Sequence, residues 1–143
     1  MKRLIKLASS ALFLVFLFAL PAFSASTADK EQAAVKAAQE FLALIDAADY
    51  AQSWEVTARF FKQKVSKESW IKEIAILRPK SKSPIERKLR SAEYSKSVPG
   101  IPEGEYVVIV FDTSFDNKQG AIEIVTPTLE PDGHWHVSGY FVR

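Results

Sequence analysis

Four side chains in the C-terminal half of the sequence could form a site for acid–base chemistry: Lys88, Asp112, Glu123 and Tyr140. Counting back from the predicted hairpin turns sets Asp112 opposite Glu123, and Glu123 opposite Tyr140. A looser count sets Lys88 beside Asp112. Two neighbouring carboxylates can raise the pKa of one of them, and that carboxyl can then act as a general acid or base. These four residues are therefore the candidate ligand-binding residues of the chain.

The same row has a simpler structural interpretation. Strand alternation places it on the face opposite to the apolar one, where charge pairing between neighbouring strands is sufficient to explain it. We therefore favour structure over catalysis. Glu123 is still the strongest single candidate, because it interrupts the β-branched residues of AIEIV in mid-strand. If a partner or a pocket covers it, its charge needs pairing by Lys88 or Tyr140, or by Arg87 if the first hairpin shifts by one residue.

The two histidines, His134 and His136, share one strand face and could supply two metal ligands. No third ligand at suitable spacing completes the set, because the sequence has no Cys and the nearby acids lie in the turn. We therefore predict no metal site. The sequence also lacks the G-x-S-x-G, H-E-x-x-H, P-loop and dinucleotide-binding motifs, so we expect no cofactor, and enzymes of the common motif-bearing kinds are disfavoured.

The first 24 residues are typical of a cleaved export signal. MKRLIK is basic, residues 7–20 are uncharged and apolar, and Ala22 and Ser24 flank Phe23 in the spacing that a signal peptidase reads. The apolar run is short for a membrane span, which needs about 20 residues. We expect cleavage near Ser24, a single domain over residues 25–143, no transmembrane anchor in the mature chain, and a periplasmic or secreted location.

Positive charge is concentrated in the segment 59–96, where 12 Lys and Arg stand against four Asp and Glu. Such a segment could form a surface for an anionic partner such as lipopolysaccharide or phospholipid headgroups. It contains no aromatic RNA-binding motif and no helix-turn-helix pattern, so we expect no nucleic-acid partner. A solvated surface, balanced by the acidic remainder of the fold, is the interpretation that we favour.

The N-terminal half of the predicted domain has the periodicity of three helices. A capping-box-like start at Asp29 precedes apolar residues at helical spacing. A second helix should begin at Asp49, with one face formed by Tyr50, Trp54, Ala58 and Phe61. A third should begin at Ser66 and stop at Pro79. Two tryptophans on the apolar stripes are predicted core residues: Trp54 and Trp70.

After Pro84 the pattern alternates, and Gly-containing turns separate four predicted strands near residues 85–96, 105–115, 120–129 and 134–142. Short connections make them an antiparallel meander. The face that should pack on the helices contains Ile109, Phe111, Phe115, Ile122, Ile124, Trp135, Val137 and Phe141. The other face has apolar residues that suggest a homodimer interface: Tyr106, Val108, Val110 and Val125. The fold class is α+β, with three N-terminal helices packed on a curved four-stranded antiparallel sheet.

Several short motifs accompany this order of elements: Ser53-Trp54, PGIPEGEY at 99–106, TSF at 113–115, Glu123 and WHVSGY at 135–140. Together with the export signal, they make the chain resemble a small bacterial secreted family, domain of unknown function 4019. The resemblance covers essentially the whole mature chain. It implies a cone-shaped fold similar to nuclear transport factor 2 (NTF2-like) and ketosteroid isomerase, and it implies no particular reaction.

Three functions remain open. The first, which we favour, is a non-catalytic binding or protein-interaction module with an unknown ligand or partner. The second is a small cone-cavity enzyme, an isomerase or hydrolase that uses Glu123 or Asp112. The third is an anion-binding surface formed by the basic segment 59–96.

Overall fold

The computed structural model describes residues 24–78, 83–116 and 118–143, which form four helices followed by four strands. The helices are α1 (Thr27–Asp46), α2 (Tyr50–Glu55), α3 (Arg59–Lys64) and α4 (Lys67–Leu77). The strands are β1 (Glu86–Ser95), β2 (Tyr106–Phe115), β3 (Lys118–Leu129) and β4 (Trp135–Val142). The predicted signal up to residue 23 and the predicted helix stop at Pro79 lie outside the described residues.

Helix α1 is the element that covers the sheet. Its N-terminus is a capping box in which the Ser26 hydroxyl accepts a hydrogen bond from the Asp29 N–H, while the Asp29 carboxylate accepts one from the Ser26 N–H. The buried stripe of the helix recurs at helical spacing: Ala34, Ala38, Phe41, Leu42 and Ile45. Across all the residues that the structure describes, no helix is both long and apolar enough to span a membrane.

The second predicted helix is in fact two helices, so the prediction of three helices is wrong. Between α2 and α3 the chain becomes extended, and Thr57 forms a parallel bridge with Val137 of β4. The Ala58 N–H donates to the Val137 carbonyl at 2.8 Å. This backbone bond to the sheet replaces a helical one, and both Thr57 and Ala58 are buried by it.

The sheet confirms the predicted meander. Its strands lie in the order β1-β2-β3-β4 and each pairs antiparallel with its neighbour. Observed strand boundaries lie within two residues of the predicted ones. The inner face packs on α1 through Val107, Ile109, Phe111, Val125 and Val137. The chain is therefore an α+β protein with an open four-stranded antiparallel sheet.

The predicted faces of the second half of the sheet need correction, because the register differs. Phe111 lies opposite Glu123, so that Asp112 lies opposite Ile122 rather than Glu123. A one-residue shift moves every side chain to the other face. Four apolar residues consequently exchange faces relative to the prediction: Ile122, Ile124 and Phe141 go to the outer face and Val125 to the inner one.

The two tryptophans of the helical half differ in burial. Trp70 is buried, as predicted, and its Nε1–H donates to the Ser53 hydroxyl at 2.9 Å. Trp54 is only half-buried and packs at the margin of the core, so the prediction overestimated its burial. The ammonium groups of Lys62 and Lys67 lie 5.2 Å and 5.9 Å from its ring centroids, which places the indole face beside solvated cations.

Candidate functional site

Two arginines and two carboxylates meet beneath the helices, at the end of the sheet where β1 begins. Asp46 is the last residue of α1, Arg78 caps the C-terminus of α4, Arg87 lies on β1 and Glu123 lies in the middle of β3. Glu123 is completely buried and Arg78 is 4% exposed. We call these four side chains, together with the hydroxyls of Thr113 and Tyr140, the buried ion network.

Glu123 accepts hydrogen bonds at both carboxylate oxygens. Oε1 accepts from the Tyr140 hydroxyl at 2.6 Å, from Arg78 Nη1 at 3.1 Å and from Arg87 Nη2 at 3.2 Å. Oε2 accepts from Arg87 Nε at 2.6 Å and from the Thr113 hydroxyl at 2.7 Å. A carboxylate has about four lone-pair sites, so these donors saturate it.

Asp46 completes the charge balance of the network. Its Oδ1 accepts from Arg78 Nη2 at 2.7 Å and from Arg87 Nη2 at 3.0 Å, while Oδ2 accepts from Arg87 Nη1 at 2.7 Å. Each arginine therefore bridges both carboxylates, and two positive charges match two negative ones. Bidentate arginine–carboxylate pairs fix orientation as well as supply energy, so the network holds α1, α4, β1 and β3 in one arrangement.

The surroundings also determine how Tyr140 ionises. Burial raises the pKa of the Tyr140 hydroxyl far above its ordinary value, and the adjacent Glu123 carboxylate raises it further. For Arg87, burial by itself would lower the pKa, but the hydrogen bonds to Asp46 and Glu123 outweigh it and raise the pKa. The tyrosine therefore stays a neutral donor to Glu123, and the arginine stays a cation.

The predicted row of four residues divides between the two faces of the sheet. Glu123 and Tyr140 lie together on the inner face, whereas Lys88 and Asp112 lie opposite each other on the exposed outer face. The prediction that the whole row shares the outer face is therefore wrong. Glu123 pairs with Arg87, the alternative partner, and not with Lys88. The first hairpin is not shifted, since Lys88 lies opposite Asp112 as predicted; Arg87 meets Glu123 because the register between β2 and β3 differs by one residue.

The two exposed residues of the row have ordinary surface partners. Lys88 Nζ lies 2.8 Å from the Glu86 carboxylate, and Asp112 pairs with Arg90. The predicted register between Glu123 and Tyr140 is also wrong, because Tyr140 lies opposite Val125. That difference of two residues leaves both side chains on the same face.

Sequence reasoning missed Asp46 and Arg78, although a helical signal marks both. Asp46 continues the buried stripe of Ala38 and Leu42 at a spacing of four residues. Arg78 continues the stripe of Trp70 and Ile74 in the same way. A charge that extends a buried stripe at helical spacing lies over the same face as that stripe, so it must find a buried partner.

A second group of polar side chains lies on the β3–β4 hairpin, where one of the two histidines joins the turn acids. His136 Nε2 lies 2.8 Å from Asp132 Oδ2 and 3.9 Å from Glu130 Oε2, and all three ligand atoms lie within 4.8 Å of one another. Glu130 also accepts a hydrogen bond from the Arg59 backbone N–H at 2.8 Å. The fold thus brings two turn acids to His136, so the expectation that no third ligand completes the set is wrong, and His134 is not among the three.

A cleft of about 420 Å³ is lined in part by Tyr140, whose hydroxyl belongs to the buried ion network. Phe61 and Trp70 line it from the helices, with ring centroids 5.4 Å apart and ring planes perpendicular. Val98 and Ile101 line it from the β1–β2 loop, and residues 138–141 of β4 form its floor. We call it the edge cleft. Its apolar walls and few polar groups are typical of a binding site.

Replacement of Glu123 by Gln should strongly destabilise the protein. The change removes one of the two carboxylates and leaves two buried arginines sharing Asp46. Removing one partner of a buried ion pair lowers the unfolding free energy by about 3–5 kcal/mol. Urea denaturation of wild type and Glu123→Gln measures it. Asp112→Asn is the matched control and should change the unfolding free energy by less than about 1 kcal/mol, because its ion pair is exposed. Equal effects of the two substitutions would contradict a buried network.

The raised pKa of Tyr140 makes stability depend on alkaline pH. Its contribution is fully present below the pKa of about 10 of an unfolded tyrosine, and is lost as pH rises above it, since only the unfolded phenol ionises there. The unfolding free energy should fall by up to about 1.4 kcal/mol per pH unit above pH 10 from this one group. Urea midpoints between about pH 8 and 11 should show a steeper decline for wild type than for Tyr140→Phe. Parallel curves would show that Tyr140 does not titrate differently in the two states.

Comparison with known proteins bears on the family of the chain. The family model described as "Protein of unknown function (DUF4019)" matches residues 37–140. This range contains every residue of the buried ion network and reaches the floor of the edge cleft. No curated protein and no solved structure matches the chain. The resemblance to domain of unknown function 4019 is thus confirmed, and the chain belongs to this family.

Proposed function

We propose that the mature chain is an exported, non-catalytic binding module with an NTF2-like fold, and that it binds an apolar ligand in the edge cleft. The order of helices followed by a four-stranded meander, with α1 across the inner face, supports the fold assignment. The edge cleft is the observation that carries the binding function, because it combines aromatic and aliphatic walls with an accessible opening.

The ion network supports a structural rather than a catalytic role for Glu123. A general acid or base must exchange a proton with a substrate placed within hydrogen-bond distance. Both oxygens of Glu123 are instead occupied by fixed donors from the protein itself, including Arg78 and Arg87. Asp112, the other candidate of the enzyme hypothesis, pairs with Arg90 on the exposed outer face.

The contacts of the basic segment give less support to an anion-binding surface. Among the described residues of the segment, six positive side chains already lie in ion pairs with carboxylates: Arg59, Lys67, Arg78, Arg87, Lys88 and Arg90. Two of these six are in the buried network, where an external anion would have to displace Asp46 or Glu123. The charge excess of the sequence is therefore substantially neutralised within the fold.

Binding in the edge cleft is tested with N-phenyl-1-naphthylamine, a neutral apolar fluorophore. We expect a saturable rise in fluorescence with wild type, and at least a fivefold loss of affinity in the double variant Val98→Ser/Ile101→Ser, which makes the loop wall polar. Ile76→Ser is the matched control, since Ile76 is 77% exposed and does not line the cleft. Non-saturable binding, or an equal loss in the control, would contradict the proposal.

Export is tested by expressing the full chain in a Gram-negative host and sequencing the N-terminus of the recovered protein. We expect a periplasmic product that begins after Ser24. Replacing Ala22 and Ser24 by Leu should block cleavage, because a signal peptidase requires small residues at these two positions. A cytoplasmic product that retains the N-terminal segment would show that the segment is not an export signal.

A further inference from the structure

Strand β4 forms one edge of the sheet, and its register shows which backbone groups point away from β3. Ile122 and Arg143 exchange both backbone hydrogen bonds, at 2.8 Å and 3.0 Å. Hydrogen-bonded and non-hydrogen-bonded pairs alternate along an antiparallel ladder. The pair of Val125 and Tyr140 is therefore non-hydrogen-bonded. The N–H and C=O of Tyr140 consequently point outward, and those of Val142 do so as well.

The edge cleft follows this edge rather than either face of the sheet. Side chains alternate between faces along a strand, so a cleft on one face touches every second residue. The edge cleft instead contacts four consecutive residues of β4, 138–141, and residues from both sides of the sheet. Phe61 and Trp70 come from the helices that pack on the inner face, whereas Thr126 lies on the outer face of β3, opposite Gly139. The cleft therefore passes around the edge of β4 from one face to the other.

The chain itself already pairs with the first part of this edge. The extended residues between α2 and α3 form the bridge from Thr57 to Val137, with the Ala58 N–H on the Val137 carbonyl. Helix α3 then turns away. Within residues 24–78, 83–116 and 118–143, no other segment forms a strand bridge to the outer edge of β4. The protein's own chain therefore pairs with the outer edge of β4 at Val137, whereas no described segment pairs with the part of this edge that lines the cleft.

We propose that the occupant of the edge cleft is an extended apolar segment of a partner protein, which adds to β4 as a further strand. The proposal deepens the proposed function, because it names the class of ligand for the same cleft. Main-chain bonds to the outward groups of Tyr140 give such a complex its affinity. Both walls of the cleft are apolar, so side chains at successive positions of the segment, which alternate in direction, should all be apolar.

One charged group in the edge cleft indicates which residue should flank the apolar segment of the partner. Among the described residues that line the edge cleft, Glu73 of α4 is the only one with a charged side chain. A basic residue at the end of the apolar segment would complement it. The ligand class is therefore a short β-forming apolar sequence followed by Lys or Arg.

The test uses a fluorescein-labelled peptide of sequence Thr-Val-Ile-Val-Lys-Thr and fluorescence anisotropy with the full mature protein. Alternate N–H groups of a paired strand face its neighbour. N-methylation at the Ile and N-methylation at both Val residues therefore block opposite edges of the peptide. We expect one of the two methylated peptides to lose at least tenfold in affinity and the other to stay within threefold of the parent. Equal affinities for the two methylated peptides would overturn strand addition.

Protein variants separate this inference from the proposed function. Glu73→Gln should weaken binding of the parent peptide at least threefold, because it removes the carboxylate that faces the basic residue of the peptide. Ile76→Ser, outside the cleft, should change the affinity for neither the peptide nor N-phenyl-1-naphthylamine. If the naphthylamine binds the cleft and the peptide does not, strand addition is wrong and the apolar binding site stands. If neither ligand binds, both proposals are wrong.

Discussion

The interaction on which the fold depends is the pairing of two arginines with two carboxylates. Asp46 ends α1, Arg78 ends α4, Arg87 begins β1 and Glu123 is central in β3, so one cluster joins both layers of the domain. Taking these charges from water is costly, and each is tolerable only because the others are present. The network therefore contributes specificity of arrangement, while apolar packing along α1 supplies the driving force for folding.

The buried ion network and the edge cleft share one residue, and this connects structure with proposed function. The Tyr140 hydroxyl donates to Glu123 inside the network, while Tyr140 is also one of the β4 residues that line the cleft. A floor anchored in this way has little freedom to adjust. The proposed ligand would therefore cost the protein little conformational entropy at this residue, which favours affinity for a small apolar surface.

Local patterns predicted the elements well, and long-range contacts account for the errors. The four strands follow from alternation and Gly-containing turns, and the α+β class follows from the change of period at Pro84. The break between α2 and α3 depends on a hydrogen bond from Ala58 to Val137, which lies some 80 residues later in the chain. The periodicity of a helix carries no information about so distant a contact. The face of Glu123 depended on a single residue of register at an irregular hairpin, between Thr113 and Phe115.

The open edge of β4 also has a consequence for the solution behaviour of the protein. Unpaired backbone groups on an edge strand accept any extended chain, including another copy of the same strand. Phe141, 66% exposed on this strand, adds apolar surface to such a contact. Self-association would thus draw on the same backbone groups as the proposed strand addition. At high protein concentration a symmetric pairing of two β4 edges would compete with any partner, so occupancy by a ligand would also act as protection against aggregation.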